Sequence, residues 1–391
     1  MNIIVKKFGG TSVGSIDKIK KIADNIAKEK MFNDKDIQFV VVVSAMEKTT
    51  DNLFELAHQI SAHPNQRELD MLVTAGERVT IALLSLALQE KGIQSISFTG
   101  SQSGIITDNS HGNAKILTVN AFRIPTELNK NKLVIVAGFQ GVSLEKEITT
   151  LGRGGSDTTA ISLACYLQAS KCEIYTDVKG VYSADPRVVE NVCFVKNISY
   201  EEMLFLTLNG SKVLHSRAAE FAQKYNIPIE IKSSFENCEG TMISQHMEES
   251  YVKAIAHKEK LVKIAINAKK DNQFVDLPDF KTEIFDMEYL DTQVYFLIDK
   301  QYQEQFIDEI TENNLEYYID KECLAVITLT GYRICKDIKF FNNLKKILDE
   351  TCNNDFIIKN QGIGVSVLFN SENFNLVIKV LHKKFLVSEF I

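Results

Sequence analysis

The stretch that decides the fold is Ile3-Ile4-Val5-Lys6-Lys7-Phe8-Gly9-Gly10-Thr11-Ser12, in which a short apolar run leads directly into a glycine turn. Apolar residues then recur at helical spacing from Ile16 to Ile26, which predicts an amphipathic helix. The β-branched run Gln38–Ser44 follows, and such a run is typical of a strand buried on both faces of a parallel sheet. A strand, a glycine turn, a helix and a second strand in this order predict an α/β unit.

The same alternation of strands and helices continues to about residue 235. A capping box, Ser199-x-x-Glu202, opens one further helix, which Gly210 closes. The pattern predicts one α/β domain over residues 1–245 with a mostly parallel sheet. The other predicted elements are helices at 51–61, 68–91 and 157–168 and strands at 94–98, 132–137 and 172–176.

The chain changes character at a composition shift near residues 236–250, where the glycine turns end. Strands predicted at 324–329, 356–359 and 363–369, with helices at 338–348 and 374–385, give the order βαββα of a ferredoxin-like α+β module. A less regular module precedes it, with strands at 261–266 and 292–298 and a helix near 303–311. We therefore predict two small modules in tandem over residues 246–391, the first of them degenerate.

The composition narrows the class of protein. The 391 residues are 45% hydrophobic and 24% charged, as in a soluble globular protein of two or three domains. A net charge of -7 argues against nucleic acid as a partner. The seven cysteines are scattered without a C-x-x-C pair, which is typical of reduced thiols in a cytoplasmic protein, and no metal site is predicted. The longest apolar run, Phe39–Val43, is too short to span a membrane.

Three turns rich in glycine or hydroxyl residues, 7–12, 44–50 and 152–157, each follow a predicted strand. Because the carboxyl ends of parallel strands meet at one edge of a sheet, we expect the three turns to border a single cleft. Glycine lets a backbone approach phosphate closely, and a helix N-terminus supplies oriented N–H groups. With Lys7 and Arg153 at two of the turns, the cleft is predicted to bind an anion, although the chain has no P-loop motif.

Each of these features also has a purely structural interpretation. The pair Lys6-Lys7 is typical of a solvated strand edge, and Asp157 is a suitable N-cap for the helix that it starts. His111 and His215 are interpreted as structural residues, since neither lies near a second metal ligand in the sequence. The functional interpretation depends on the combination rather than on any single residue.

The combination of motifs resembles the aspartokinase family within the amino-acid-kinase fold. The motifs occur in order through nearly the whole of residues 1–235, and the likeness is to the short, single-function members. They are Lys7–Ser12, Val42–Met46, Thr49–Asp51, Thr74–Arg78, Phe98–Gln102, Ala137–Gly141, Thr150–Asp157, Glu173–Val178, Gly180–Tyr182, Ala184–Arg187 and Gly210–Leu214.

The resemblance implies a three-layer amino-acid-kinase domain, a phosphotransferase that uses ATP with Mg²⁺, and L-aspartate as the substrate. It implies catalytic roles for Lys7 and Asp157. The residues implied in binding aspartate are Thr50, Glu77, Arg153, Gly154, Gly155 and Ser156. Those implied in binding ATP are Lys7, Phe8, Gly9, Gly10, Thr176, Asp177, Tyr182, Arg187, Lys212 and Val213.

The tail resembles the paired ACT modules of the same family but departs from their pattern. The family's turn and helix after the first strand are missing after Ile266, and the second module has Asn354-Asp355 and Gln361-Gly362 at two of the family's characteristic positions. We expect assembly into at least a dimer through the tail, with weak or absent amino-acid sensing. Two rival interpretations are another small acceptor on the same fold and an inactive, amino-acid-binding paralogue.

Overall fold

A computed structural model of the chain describes residues 2–32, 37–245, 251–267, 269–270, 273–274, 277–290, 292–352 and 355–387. Contacts divide the chain into two units. The first comprises Met1–Val181, Lys196–Met203 and Lys212–Glu248, and the second comprises Tyr182–Val195, Leu204–Ser211 and Glu249–Ile391. Residues 246–250, beside the predicted boundary, lie outside the described residues, so that boundary stays a prediction. The sequence did not predict that 182–195 and 204–211 belong to the second unit.

The first unit contains a large central sheet and a smaller one. The strands of residues 2–244 are β1 (Asn2–Phe8), β2 (Ile37–Val43), β3 (Ser95–Phe98), β4 (Ile105–Thr107), β5 (Ile116–Val119), β6 (Leu133–Ala137), β7 (Gln140–Ser143), β8 (Ile148–Thr150), β9 (Lys171–Thr176), β10 (Val181–Tyr182), β11 (Phe194–Val195), β12 (Asn197–Ser199), β13 (Ile229–Ser233) and β14 (Thr241–Ser244). Of these, β10 and β11 pair with each other, and β11 lies in the stretch 182–195 that belongs to the second unit. Within the described residues, the central sheet has the order β12-β14-β13-β9-β1-β2-β6-β3. All neighbouring strands in it run parallel except β13 and β14, which confirms the predicted mostly parallel sheet.

Helices pack on the central sheet through their apolar stripes. Ile19, Ile22, Ala23 and Ile26 of the first helix join the buried core that Val41 of β2 also lines. Each of the three isoleucines contributes roughly 1.5–3 kcal/mol on burial. The helices that begin in this part of the chain are α1 (Ile16–Phe32), α2 (Thr49–Ile60), α3 (Gln66–Val73), α4 (Ala75–Gln89), α5 (Arg123–Leu128), α6 (Gly155–Tyr166), α7 (Tyr200–Leu208) and α8 (Ser216–Tyr225).

Two sequence predictions about helices are refined by the structure. The helix predicted at 68–91 consists of α3 and α4, which meet at Thr74. The predicted capping box is present, because Ser199 and Glu202 exchange hydrogen bonds between side chain and backbone N–H at 3.0 and 3.1 Å. These contacts satisfy donors that the start of α7 would otherwise leave unpaired.

A second sheet in the first unit was not predicted. Its order is β5-β4-β7-β8 within the described part of the chain. The four strands have only three or four residues each, which is too short for an alternation of apolar and polar residues to be recognised in the sequence. This sheet leads, through the end of β8, into the turn that carries Arg153.

The second unit is an α+β structure on an antiparallel sheet. Its strands are β15 (Ala254–Asn267), β16 (Lys269–Lys270), β17 (Gln273–Phe274), β18 (Ile284–Leu290), β19 (Gln293–Asp299), β20 (Tyr317–Thr330), β21 (Phe356–Asn360) and β22 (Gly364–Asn370), and its helices are α9 (Gln303–Glu312), α10 (Ile338–Cys352) and α11 (Phe374–His382). Within the described residues, the main sheet has the order β18-β19-β15-β20-β22-β21, and β16 pairs with β17. The predicted βαββα order is observed as β20, α10, β21, β22 and α11.

The first module of the tail differs from the second in the way that the sequence indicates. Between Asn267 and Ile284 the described residues contain the short hairpin of β16 and β17 and no helix. The second module has α10 in the corresponding interval. Asn354, one of the residues on which the predicted departure from the family depends, lies outside the described residues.

Lys6 contradicts the interpretation of the lysine pair as a solvated edge. Its side chain is 1% exposed, and its Nζ donates to Glu173 Oε2 at 2.6 Å and to Glu29 Oε1 at 2.8 Å. Tyr175 Oη also donates to Glu173 at 2.9 Å. The strand is central in the sheet, so both of its faces are covered, and a lysine there needs a carboxylate partner.

Candidate active site

A cavity of about 290 Å³ opens where the carboxyl ends of β1, β2 and β6 meet. The three turns that the sequence predicted to converge all contribute to its wall. Ser44, Ala45, Glu47, Phe139 and Gly152 line it without having been assigned a role. The predicted site residues that line it are Lys7, Gly10, Thr50, Glu77, Arg153, Gly154, Gly155, Ser156 and Asp157.

Lys7 and Asp157 form an ion pair inside the cavity. Lys7 Nζ lies 2.7 Å from Asp157 Oδ1, and the two side chains are 11% and 13% exposed. Asp157 is the third residue of α6, and Gly154 occupies the N-cap position with a left-handed backbone (φ 67°). The N-cap interpretation of Asp157 is therefore wrong. Its carboxylate instead places the lysine ammonium group at the cavity.

The turn after β1 is held close to its neighbours. The Gly9 N–H donates to the Tyr175 carbonyl at 3.2 Å, and the Ser12 N–H donates to the Gly9 carbonyl at 2.9 Å. A Cβ atom on Gly10 would lie 3.0 Å from the Ala45 carbonyl oxygen, a tight contact that glycine avoids. The Phe8 ring is buried and stacks on Tyr175 with centroids 4.6 Å apart, which leaves only its backbone for a ligand.

Glu77 is a buried carboxylate with one unused oxygen. It lies in the first turn of α4, where its Oε1 accepts the Ala45 N–H at 3.1 Å and its Oε2 has no hydrogen-bond partner. Burial raises the pKa of Glu77 to about 7, although the hydrogen bonds from its own and the Ala45 backbone N–H oppose this. A buried carboxylate that faces a cavity with a free oxygen is suited to a cationic ligand group.

Arg153 supplies the opposite charge at the same cavity. Its side chain is exposed, and within the described residues it makes no ion pair and no side-chain hydrogen bond. Gly152 and Gly154 on either side have φ of 71° and 67°, in the left-handed region that glycine adopts without strain. The guanidinium group is therefore free to bind a carboxylate with two parallel hydrogen bonds.

Two hydroxyl residues complete this part of the wall. Thr50 is the second residue of α2, and Ser156 is the second residue of α6 and is 8% exposed. The Gly138 backbone approaches Ser156 so closely that a Cβ on Gly138 would lie 2.6 Å from Ser156 Oγ. Glycine at 138 thus leaves the space that the Ser156 side chain occupies at the start of the helix.

The residues of the predicted nucleotide segment lie elsewhere. Thr176 ends β9 and Asp177 follows it, while Lys212 is exposed and Val213 half-buried. None of these four borders the cavity. Tyr182 and Arg187 belong to the second unit, where the Arg187 guanidinium pairs with Asp185 at 2.7 Å.

Three side chains hold the turn that carries Arg153: sequence reasoning missed Asp70 and Arg217 and interpreted the third, His111, as structural. The Asp70 carboxylate is 1% exposed and accepts from Thr150 Oγ1 at 2.6 Å, and His111 Nδ1 lies 2.8 Å from the same group. Arg217 Nη1 donates to the Leu151 carbonyl at 2.6 Å. No sequence signal marks these residues, because an acid in an amphipathic helix and an arginine at a helix start are usually solvated.

The described residues offer no cluster of metal-ligating side chains and one helical stretch of membrane-spanning length. Among the described residues, no group of three or more His, Cys, Asp or Glu side chains is placed to hold a metal ion. The described part of the chain has one helical stretch, Gln66–Gln89, that is long and apolar enough to cross a membrane by length and composition alone. Half of its most apolar window is buried within the protein, as in many core helices. All seven cysteines are free.

Comparison with known proteins gives concordant matches. Residues 2–233 match the model of the amino acid kinase family. An aspartokinase of Bacillus sp. strain MGA3 is 52% identical over 269 residues, which cover 68% of this chain and 65% of that protein. The matched stretch thus spans slightly less than two thirds of that relative's length.

Solved structures resemble the chain over more of its length. An aspartate kinase from Synechocystis is 32% identical with a TM-score of 0.57, over 98% of this chain and 69% of that one. The fold is also similar to that of aspartokinase III of Escherichia coli in complex with aspartate and ADP. That match has a TM-score of 0.79 at 22% identity and covers 98% of this chain and 99% of that one.

Proposed function

The chain belongs to the amino acid kinase family and, within it, to the aspartokinases, and from this premise we propose that it transfers the γ-phosphoryl group of ATP to the β-carboxylate of L-aspartate. The product would be 4-phospho-L-aspartate, the start of the pathway to lysine, threonine and methionine. One observation carries the proposal: a single cavity is lined by Lys7, Arg153 and Glu77. The cavity thus offers the cation of Lys7 to a phosphate group, and the cation of Arg153 and the anion of Glu77 to an amino acid.

The charges in the cavity match the groups of aspartate. Arg153 would bind the α-carboxylate through its guanidinium fork, and the unpaired Oε2 of Glu77 would accept from the α-ammonium group. Thr50, Gly154, Gly155 and Ser156 would add hydrogen bonds around the same ligand. With both α-substituents held, the β-carboxylate is the one group of aspartate left to react.

Lys7 would neutralise the charge that develops on the phosphoryl group during transfer, and the Gly9 and Gly10 turn would receive the phosphates. Asp157 holds the Lys7 ammonium group at 2.7 Å and would align it with the reacting atoms. The nucleophile is a carboxylate that is already ionised at neutral pH, so no general base is required. Catalysis would consist of positioning and charge neutralisation.

The remaining assignments are also part of the proposal. ATP would enter with Mg²⁺ bound through phosphate oxygens and water, a mode that requires few protein ligands. Thr176, Asp177, Tyr182, Arg187, Lys212 and Val213 would bind the rest of the nucleotide. We place the protein in the cytoplasm as a homo-oligomer that assembles through its C-terminal ACT-like modules.

The direct test is formation of aspartyl hydroxamate by the purified protein with ATP, Mg²⁺ and hydroxylamine. We expect L-aspartate to be used in preference to L-glutamate, whose carboxylate is one methylene further from an α-carbon fixed by Arg153 and Glu77. Lys7→Ala should lower kcat on the order of 10²–10³-fold with a smaller change in the KM for aspartate. Equal rates with both acids would contradict the assignment of the acceptor, and no activity with either would favour an inactive paralogue.

A further inference from the structure

We propose that Asp70 and Arg217 are positioning residues of the aspartate site, which fix from two sides the backbone arch 150–155 that carries Arg153. The identity of the ligand rests on the function proposed above. Neither residue lines the cavity. Their effect on the reaction is therefore exerted through the arch.

Few backbone hydrogen bonds hold the arch, and one of them runs from the Ala114 N–H to the Thr150 carbonyl at 2.8 Å. The Leu151 N–H donates to the Phe139 carbonyl at 2.8 Å, and the Gly155 N–H donates to the Gly152 carbonyl at 3.0 Å. Gly152 and Gly154 both have positive φ, so the segment has the conformational freedom of glycine on each side of Arg153. The Arg153 side chain has no partner within the described residues. The position of the Arg153 side chain in the cavity therefore depends on the backbone of the arch alone.

Asp70 holds the first residue of the arch. Its buried carboxylate accepts from the Thr150 N–H at 3.1 Å and from Thr150 Oγ1 at 2.6 Å. The same carboxylate accepts from the Gly112 N–H at 3.1 Å and contacts His111 Nδ1 at 2.8 Å. These partners restrict the Asp70 carboxylate to a single orientation. Through it, Thr150 is held to α3 and to the loop at 111–114.

Arg217 holds the next residue. Its Nη1 donates to the Leu151 carbonyl at 2.6 Å and to Asn113 Oδ1 at 2.9 Å, and its Nη2 donates to the Ala114 carbonyl at 3.0 Å. The acceptors are two backbone carbonyls and the side-chain amide oxygen of Asn113, and a lysine ammonium does not reproduce the fixed fork geometry with which the guanidinium group meets all three. The arch and the loop at 112–114 are thus joined at one end by Asp70 and at the other by Arg217.

The two residues act on one side of the site only. Lys7 lies on β1, and the Gly9-Gly10 turn follows that strand and is held to β9 by the Gly9 N–H, which donates to the Tyr175 carbonyl. Neither Asp70 nor Arg217 makes a hydrogen bond to these residues. Displacing a binding group by about 1 Å can cost on the order of 100-fold in rate. We call the contacts of Asp70 and Arg217 with the arch the brace. Loss of the brace should therefore weaken aspartate binding and leave ATP binding unchanged.

The test compares Arg217→Lys, Arg217→Ala and Asp70→Asn with Arg67→Ala. Arg67 is the matched control because it lies on α3 like Asp70, but its ion pairs with Glu68 and Glu147 are exposed. We expect the KM for aspartate to rise about tenfold or more in the first three variants, with the KM for ATP within about twofold of the wild type. Guanidinium chloride at low millimolar concentration should partly restore the KM for aspartate in Arg217→Ala alone.

A purely structural role would give a different result. Partial unfolding lowers the active fraction and hence kcat, but it leaves both KM values as they were, and that outcome in the variants that fold would overturn the proposal. So would an equal rise in the two KM values, or a rise in the Arg67→Ala control.

The brace can also be tested without any substrate. Hydrogen exchange of the peptide that covers residues 150–156 should be faster in Arg217→Lys than in the wild type, at an unchanged melting temperature. Unchanged exchange would overturn the brace. If the wild type does not phosphorylate aspartate, the proposed function fails, and the exchange result still decides whether the arch is held as described.

Discussion

Glu77 shows how the surroundings of one residue prepare it for a ligand. The carboxyl group is 2% exposed, one oxygen is held by the Ala45 N–H, and the other has no partner. Burial raises its pKa to about 7, because the charged form loses hydration that the protein does not replace. An ammonium group bound at the free oxygen would replace that hydration. Glu77 is therefore poised between its neutral and charged forms near physiological pH.

This environment predicts a pH dependence of aspartate use. If the charged form of Glu77 binds the α-ammonium group, kcat/KM for aspartate should fall about tenfold per pH unit below pH 7 and level off above it. Glu77→Gln should raise the KM for aspartate and remove this dependence. The measurement is kcat/KM for aspartate from pH 5.5 to 8.5 at saturating ATP and Mg²⁺. A wild-type profile that is flat across pH 7, or the same profile in both proteins, would contradict the role of Glu77.

At the scale of elements, strand β1 carries two lysines with opposite surroundings. Successive side chains of a strand point to opposite faces, so Lys7 faces the cavity while Lys6 faces the ion pairs behind it. On that far face, Lys171 also pairs with Glu173 at 2.8 Å. Although burial alone would raise the pKa of Glu173, Lys6 and Lys171 hold it down at about 2.

The buried pair predicts a large effect of Lys6 on stability. Lys6→Met would leave Glu29 and Glu173 without this cation, and removing one partner of a buried ion pair typically costs about 3–5 kcal/mol. Lys130→Met is the control, because Lys130 is exposed and its partner Glu127 keeps a second pair with Lys132, so the loss should be less than about 1 kcal/mol. Urea unfolding followed by circular dichroism measures both. An equal decrease in the free energy of unfolding in the two variants would show that the buried ion pair stabilises the fold no more than the surface pair does.

The acid dependence of the same pair has a definite sign. A carboxyl whose pKa is lowered in the folded state contributes stability that is fully present above its unfolded pKa of 4.5 and is lost as the pH falls toward 2. In Lys6→Met the pKa of Glu173 rises, so acid unfolding should begin at higher pH than in the wild type. Acid titration of both proteins supplies the comparison.

At the scale of the whole molecule, the tail combines an intact module with an eroded one. The first module has no helix among its described residues between 267 and 284, so it lacks the turn at a helix start that could bind a ligand carboxylate. In the main sheet of the second unit, Lys359 on β21 pairs with Asp286 on β18 at 2.8 Å, although these strands are opposite edges. The sheet is therefore curled, and its concave face is filled by a cluster that includes Leu261, Leu297 and Val326.

A tail of this kind predicts weak feedback by amino acids. A ligand shifts a conformational equilibrium only by its difference in affinity for the two states, and an eroded pocket offers little difference. We expect half-inhibition of aspartate phosphorylation by lysine, by threonine and by the two together to require more than about a millimolar of each. The measurement is the hydroxamate assay across that range, with light scattering to test for at least a dimer. Half-inhibition well below a millimolar would show that a sensing pocket survives.

The sequence by itself determined those features that depend on local patterns. Continuous β-branched runs identified β1, β2 and β6, helical spacing identified α1 and α10, and the glycine turns located the cavity. Lys7, Arg153 and Asp157 belong to the turns that the sequence predicted to converge, although the turn of Arg153 follows β8 of the small sheet rather than a strand of the parallel one. Glu77, implied only by the family resemblance, lies at the same cavity in the first turn of α4. Physical rules of strand, turn and helix N-terminus act over few residues, so they can be applied without the fold.

Only the tertiary structure decided the features that depend on distant partners. Lys6 is buried because Glu29 and Glu173, remote in the sequence, neutralise it, and nothing around residue 6 signals that. Asp70 and Arg217 likewise act through backbone groups 80 and 66 positions away, at Thr150 and Leu151. A charged side chain in an amphipathic pattern is solvated or buried according to what packs above it, and that is settled by the assembled fold rather than by its neighbours in the chain.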